Sequence, residues 1–190
     1  MDKFLQDIAP YSDSKIQEAL VYLESNDQFI RGVQFFYPNW TADLIVEKLR
    51  SCKTCYDFQV QFIEGIIKNY IQSSMDSVEI IGLDSFDCSN SLYISNHRDI
   101  FLDSALLQNH LWDIGKPITE ISLGDNLMVN ETMKSVAKLN NMITVFRGGS
   151  RAEFFSNSMN LSKYLRFAMV EKKVSSWIAQ GNGRTKDGND

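Results

Sequence analysis

From Ser73-Ser74 onward, short apolar runs alternate with longer stretches of helical period, and this alternation constrains the fold more than any other feature of the chain. The runs Val78-Ile81, Leu92-Ile94, Ile118-Ile121, Ile143-Phe146 and Trp177-Ala179 are punctuated by Gly, Asn, Ser or Arg, the pattern of short buried strands. Helical stretches fall between them, around residues 101–112, 131–139 and 152–170. Strands that alternate with helices imply crossover units and a mainly parallel sheet covered on both faces. The expected class is therefore α/β, a mainly parallel sheet flanked by helices.

The preceding residues read differently. Ile16, Leu20 and Leu23 share one helical face, Leu44, Ile45, Lys48 and Leu49 form another short helix, and Pro38-Asn39 marks a turn. Phe58, Phe62, Ile66 and Tyr70 recur every four residues, again a helix. The expected organisation is an N-terminal all-helical segment, 1–74, followed by an α/β core, 75–190. The chain closes on the polar run TKDGND directly after the last expected strand. A compact sheet usually covers such a strand with a further element, so the core is expected to be truncated at its C-terminus.

At 190 residues and 44% apolar composition the chain can bury a sizeable core. Its net charge of -5 argues against nucleic-acid binding, so an anionic ligand needs a focused basic site. Three cysteines are too few for a disulfide framework, and the N-terminus MDKFLQDIAP lacks the order of a secretory signal. A reducing, cytoplasmic compartment is expected. Phe35, Phe36, Tyr37 and Trp40 crowd one region, where they either seal helices onto the sheet or touch the inner face of a membrane. Cys52 and Cys55 have the spacing of half a zinc site, but only Cys88, His97 and His110 remain as soft ligands. They are read as structural thiols, and no metal site is expected.

In an open parallel sheet, ligands gather at the carboxyl ends of the strands. Three loops there carry unusual side chains: Asn96-His97-Arg98-Asp99, Phe146-Arg147-Gly148-Gly149-Ser150-Arg151, and Gly181-Asn182-Gly183-Arg184-Thr185-Lys186. An imidazole can take a proton from an alcohol if a carboxylate engages its other nitrogen. Asp103 or Asp99 could be that carboxylate. The same residues also fit an ordinary helix start, with Asn96 as cap and Asp99 in the first turn. His97-Arg98-Asp99 matches the kinase catalytic triplet, but Phe101 and Ser104 stand where a kinase needs Lys and Asn. The kinase reading fails.

The ordered blocks ISNHRDIFLDSALL, LGDNLM, ITVFRGGSRAEF and SSWIAQGNGRTKDGND resemble the glycerol-phosphate and lysophosphatidate acyltransferase superfamily, in particular a bacterial branch whose first block reads Asn-His-Arg-Asp. The resemblance implies acyl transfer from a CoA or carrier-protein thioester to the hydroxyl of a phosphate-bearing lipid acceptor. It implies His97 as the base, Asp103 as its orienting acid with Asp99 in reserve, and Arg147 and Arg184 as phosphate ligands, with Arg98, Arg151 and Lys186 adding positive charge. It implies no metal or prosthetic group. Two departures are visible. Five residues separate His97 from Asp103 where the superfamily has four, a rotation of about 100° on a regular helix that a longer loop must absorb. Asn182 stands where the superfamily carries Glu. The competing expectations are a catalytically silent lipid- or partner-binding domain and a thioester hydrolase.

Overall fold

The computed structural model describes residues 3–82, 90–181 and 183–186. Cys88, Asn182 and residues 187–190, the end of the third block, lie outside the described residues. The chain forms an α/β fold with a four-stranded parallel sheet in the order β1-β4-β2-β3, flanked by helices and preceded by a helical segment. The strands are β1 (Leu92–Ser95), β2 (Glu120–Gly124), β3 (Met142–Val145) and β4 (Ser176–Ala179). The helices are α1 (Lys3–Ile8), α2 (Asp13–Glu24), α3 (Asp27–Phe36), α4 (Ala42–Ser51), α5 (Cys55–Phe58), α6 (Glu64–Ser74), α7 (Leu102–Asp113), α8 (Glu131–Leu139) and α9 (Arg151–Phe167). None of the described helices is long and apolar enough to cross a membrane.

The chain divides into two compact units, one of residues 1–66 and 123–148, the other of residues 67–122 and 149–190. In the first, Ile16, Leu20 and Leu23 on α2 bury against Ile45 and Leu49 on α4, as their spacing predicts. Phe29, Phe58 and Phe62 form an aromatic cluster with ring centroids 5.1 to 6.3 Å apart. The four-residue period then breaks, because a π-helical turn over Gln59–Ile63 adds a residue to the ladder. The buried face consequently moves from Phe62 to Ile67 rather than Ile66, and Tyr70 is exposed. Lys138, buried on α8, donates to the carbonyls of Asp7, Ile8 and Ala9, satisfying acceptors at the end of α1 that no helical N–H reaches.

Of the aromatics at 35–40, Tyr37 stacks on Trp40 at 4.1 Å and donates its hydroxyl proton to the Phe62 carbonyl. These two belong to the core of the first unit, while Phe35 and Phe36 are exposed. Cys52 and Cys55 are buried thiols, and burial pushes the Cys52 thiol up to about 11, far from a reactive thiolate.

The second unit holds β1, β4 and α9, with Tyr164, Ala168 and Trp177 buried. β1 and β4 pair in parallel, Leu92 opposite Ser176 through Ser95 opposite Ala179. β2 begins two residues later than its apolar run suggests. The buried Gln108 amide accepts from the Thr119 N–H at 2.9 Å and donates to the Thr119 hydroxyl at 2.8 Å. With that main-chain donor taken by a side chain, the ladder opens at Glu120, whose N–H reaches the Ser175 carbonyl. The expected strand at Val78-Ile81 does not form: residues 77–81 have no ladder partner among the described residues, and Ile81 is exposed. An apolar run becomes a strand only where another strand accepts its hydrogen bonds.

Candidate functional site

The loop after β1 and the loop after β4 emerge side by side because the two strands are parallel neighbours. The ladder continues past the strands, with the Gln180 N–H donating to Ser95 O at 2.8 Å and the Thr185 N–H to His97 O at 2.7 Å. The first and third sequence blocks are thus joined through the main chain. The Trp177 indole N–H adds a bond to the Ser95 hydroxyl, fixing the point where β1 ends.

Within the first loop, His97 Nδ1 lies 2.9 Å from Asp103 Oδ2, and each side chain retains 14% of its accessible surface. Asp103 also accepts from the main-chain N–H groups of Arg98 (2.8 Å) and Asp99 (3.1 Å). Two successive backbone N–H groups and the imidazole therefore surround one carboxylate. This wrapping absorbs the additional residue between His97 and Asp103: residues 96–101 form a loop and turn, and α7 begins only at Leu102. Asp103 sits in the first turn of α7, where the helix dipole favours its negative charge.

Asp99 has a different task. Its Oδ1 accepts from the N–H groups of Phe101 and Leu102, both at 2.8 Å, capping the start of α7. The Leu102 and Phe101 N–H groups hold its carboxyl below the usual carboxylate range, and the charges of Arg184 and His97 act in the same direction. Of the two acids the sequence leaves open, Asp103 is the one on the imidazole. Since Nδ1 is engaged by that carboxylate, Nε2 is the nitrogen placed to exchange a proton.

The remaining basic residues are placed as follows. Arg184 lies in the third loop close enough to Asp99 to stabilise its ionised form. The side chain of Arg98 is exposed, as are Lys186 and Arg151, the latter at the first position of α9. Arg147 belongs to the first unit and follows β3. There its N–H donates to Asp125 Oδ1 at 3.1 Å, and its side chain passes directly over Gly124. A Cβ on Gly124 would stand 3.0 Å from Arg147 Nε and 2.5 Å from Asn126 Oδ1, so glycine is what lets the guanidinium stem lie there.

Three participants escaped the residue-by-residue reading. Asp125 and Gly124 seat Arg147, and their signal was the LGDNLM block itself. The Thr185 amide left no signal, since a main-chain donor is not encoded by residue type. A third feature is a buried charge cluster: Glu120, 2% exposed, accepts from the Tyr164 hydroxyl at 2.8 Å and pairs closely with Lys172. Burial, followed by the Glu120 charge, raises the Tyr164 pKa far above its ordinary value, keeping the phenol a neutral donor. Among the described residues, no group of three or more His, Cys, Asp and Glu side chains converges as a metal site would require. No protein-family model and no curated protein matches the chain.

Proposed function

We propose that the chain is an acyltransferase that moves a fatty acyl group from a CoA or carrier-protein thioester to the hydroxyl of a phosphate-bearing lipid acceptor. The observation that carries this reading is the 2.9 Å contact between His97 Nδ1 and Asp103, in a loop tied to the one bearing Arg184. His97 Nε2 takes the acceptor's hydroxyl proton, and the alkoxide oxygen attacks the thioester carbonyl. The tetrahedral intermediate collapses by breaking the carbon-sulfur bond, and the leaving thiolate recovers the proton from the imidazolium. The products are an ester and a free thiol. Asp103 balances the imidazolium charge during the step, as an oriented carboxylate does in other histidine bases. Arg184 supplies a planar guanidinium suited to paired hydrogen bonds with phosphate.

The test is thiol release from a long-chain acyl thioester, with and without lysophosphatidate, glycerol phosphate and an uncharged monoacylglycerol. Release that requires a phosphate-bearing acceptor supports the reading. Acceptor-independent release identifies a thioester hydrolase instead, and tight lysolipid binding without any release identifies a silent lipid-binding domain.

A further inference from the structure

The helix α9 (Arg151–Phe167) presents an apolar face that nothing in its own unit covers. Phe155 is 68% exposed and Met159 46%, in a protein whose aromatic side chains can otherwise be buried completely, as Phe58 and Tyr164 are. Helical spacing places Arg151, Phe155 and Met159 in successive turns of one face, with Lys163 a further turn along and Arg166 beside it. The buried Tyr164 lies on the opposite face. The exposed side is therefore amphipathic in a particular way, with aromatic and thioether groups between three cations. The single acid of the helix, Glu153, lies off this face and accepts from the Ser150 N–H at 2.7 Å in the capping box.

We infer that this face of α9 docks on an anionic lipid bilayer, with Phe155 and Met159 entering the interfacial region while Arg151, Lys163 and Arg166 meet acidic headgroups. Charge complementarity selects this occupant. The face is cationic in a chain of net charge -5, so only a dense negative surface is attracted to it in preference to the rest of the molecule. Two copies of the face would oppose their own cations, which disfavours a symmetric dimer through it. Aromatic rings flanked by Arg and Lys are favoured at the headgroup boundary, whereas a purely electrostatic protein contact has no use for an exposed phenylalanine and methionine set between its cations. Docking does not depend on acyl transfer and is read out without turnover.

The experiment is co-sedimentation of the full chain with vesicles of phosphatidylcholine alone and of phosphatidylcholine mixed with phosphatidylglycerol, at low and high salt. Binding is expected to the mixed vesicles only and to fall steeply as salt rises. Each basic residue near an anionic surface is worth about a fivefold change in partitioning, so Lys163→Glu with Arg166→Glu should weaken binding at least about 25-fold. Phe155→Ser with Met159→Ser should weaken it at least about tenfold, with the unfolding midpoint unchanged because both side chains are exposed. Wild-type protein that stays in the supernatant overturns the inference. So does binding that neither pair of substitutions weakens, or a self-association that the same substitutions abolish.

Discussion

Replacing Asp103 by Asn and by Ala separates the charge of this carboxylate from its hydrogen-bonding geometry. Three donors converge on it: His97 Nδ1 at 2.9 Å, the Arg98 N–H at 2.8 Å and the Asp99 N–H at 3.1 Å. An amide offers one oxygen and two hydrogens, and every neighbour in this cluster is a donor. The Asn oxygen must therefore take the Oδ2 position, which keeps His97 protonated on Nδ1 and removes only the charge. Two unit charges about 4 Å apart interact by roughly 4 kcal/mol at an effective dielectric near 20, a ceiling of about a thousandfold in rate. Because each side chain keeps 14% of its surface, water recovers part of that. We expect Asp103→Asn to lower kcat/KM about 30- to 300-fold and to leave stability within about 1 kcal/mol of wild type. Ala leaves all three donors without an acceptor, at roughly 1 kcal/mol each before solvent compensates, so a stability loss of about 2 kcal/mol accompanies an equal or larger rate loss. Steady-state thiol release gives the rates and urea unfolding the stabilities. An Asn variant within about threefold of wild-type kcat/KM would refute the charge-balancing role of Asp103, and an Asn variant as unstable as the Ala variant would refute the convergence of donors.

Lys172→Met strips the cation from Glu120, whose side chain is 3% exposed, and should cost about 3 kcal/mol in urea unfolding; the double variant with Glu120→Gln should recover most of it, and failure to recover would contradict the pairing. Gly124→Ala places a Cβ 3.0 Å from Arg147 Nε and 2.5 Å from Asn126 Oδ1, so urea unfolding should show a loss of about 1–2 kcal/mol; stability equal to wild type would contradict the close packing over Gly124. Asp99 has its pKa held below the ordinary 3.8 by the α7 N–H groups, so its charge contributes stability present above pH 3.8 and lost as pH falls through the lower folded value. The stability gap between wild type and Asp99→Asn should accordingly be flat near neutrality and close on the acid side of pH 3.8; a gap that widens there would contradict the sign.

How much of this was legible in sequence depends on whether the decisive interaction is local. Helix α8 matches its expected span of 131–139, since Asn130 caps it by accepting from the Met133 N–H. α7 likewise begins and ends close to expectation. The misses share a cause. The phase slip after Phe62 comes from one extra residue in a π-turn, which hydrophobic spacing alone does not reveal. The start of β2 is set by Gln108, eleven positions away, and the run at Val78-Ile81 lacked a ladder partner among the described residues, which no local pattern could report. At the site, residue types nominated both Asp99 and Asp103. Only the course of the loop decides that one caps a helix and the other holds the imidazole.

The most direct test of the account is mass-spectrometric detection of the acylated acceptor formed by wild-type protein and by His97→Ala, each first checked for an unchanged unfolding midpoint. The account predicts ester formation by the wild type and its loss by at least about a thousandfold in the variant. Ester formed at comparable rates by both proteins, or by neither with any phosphate-bearing acceptor, would contradict it.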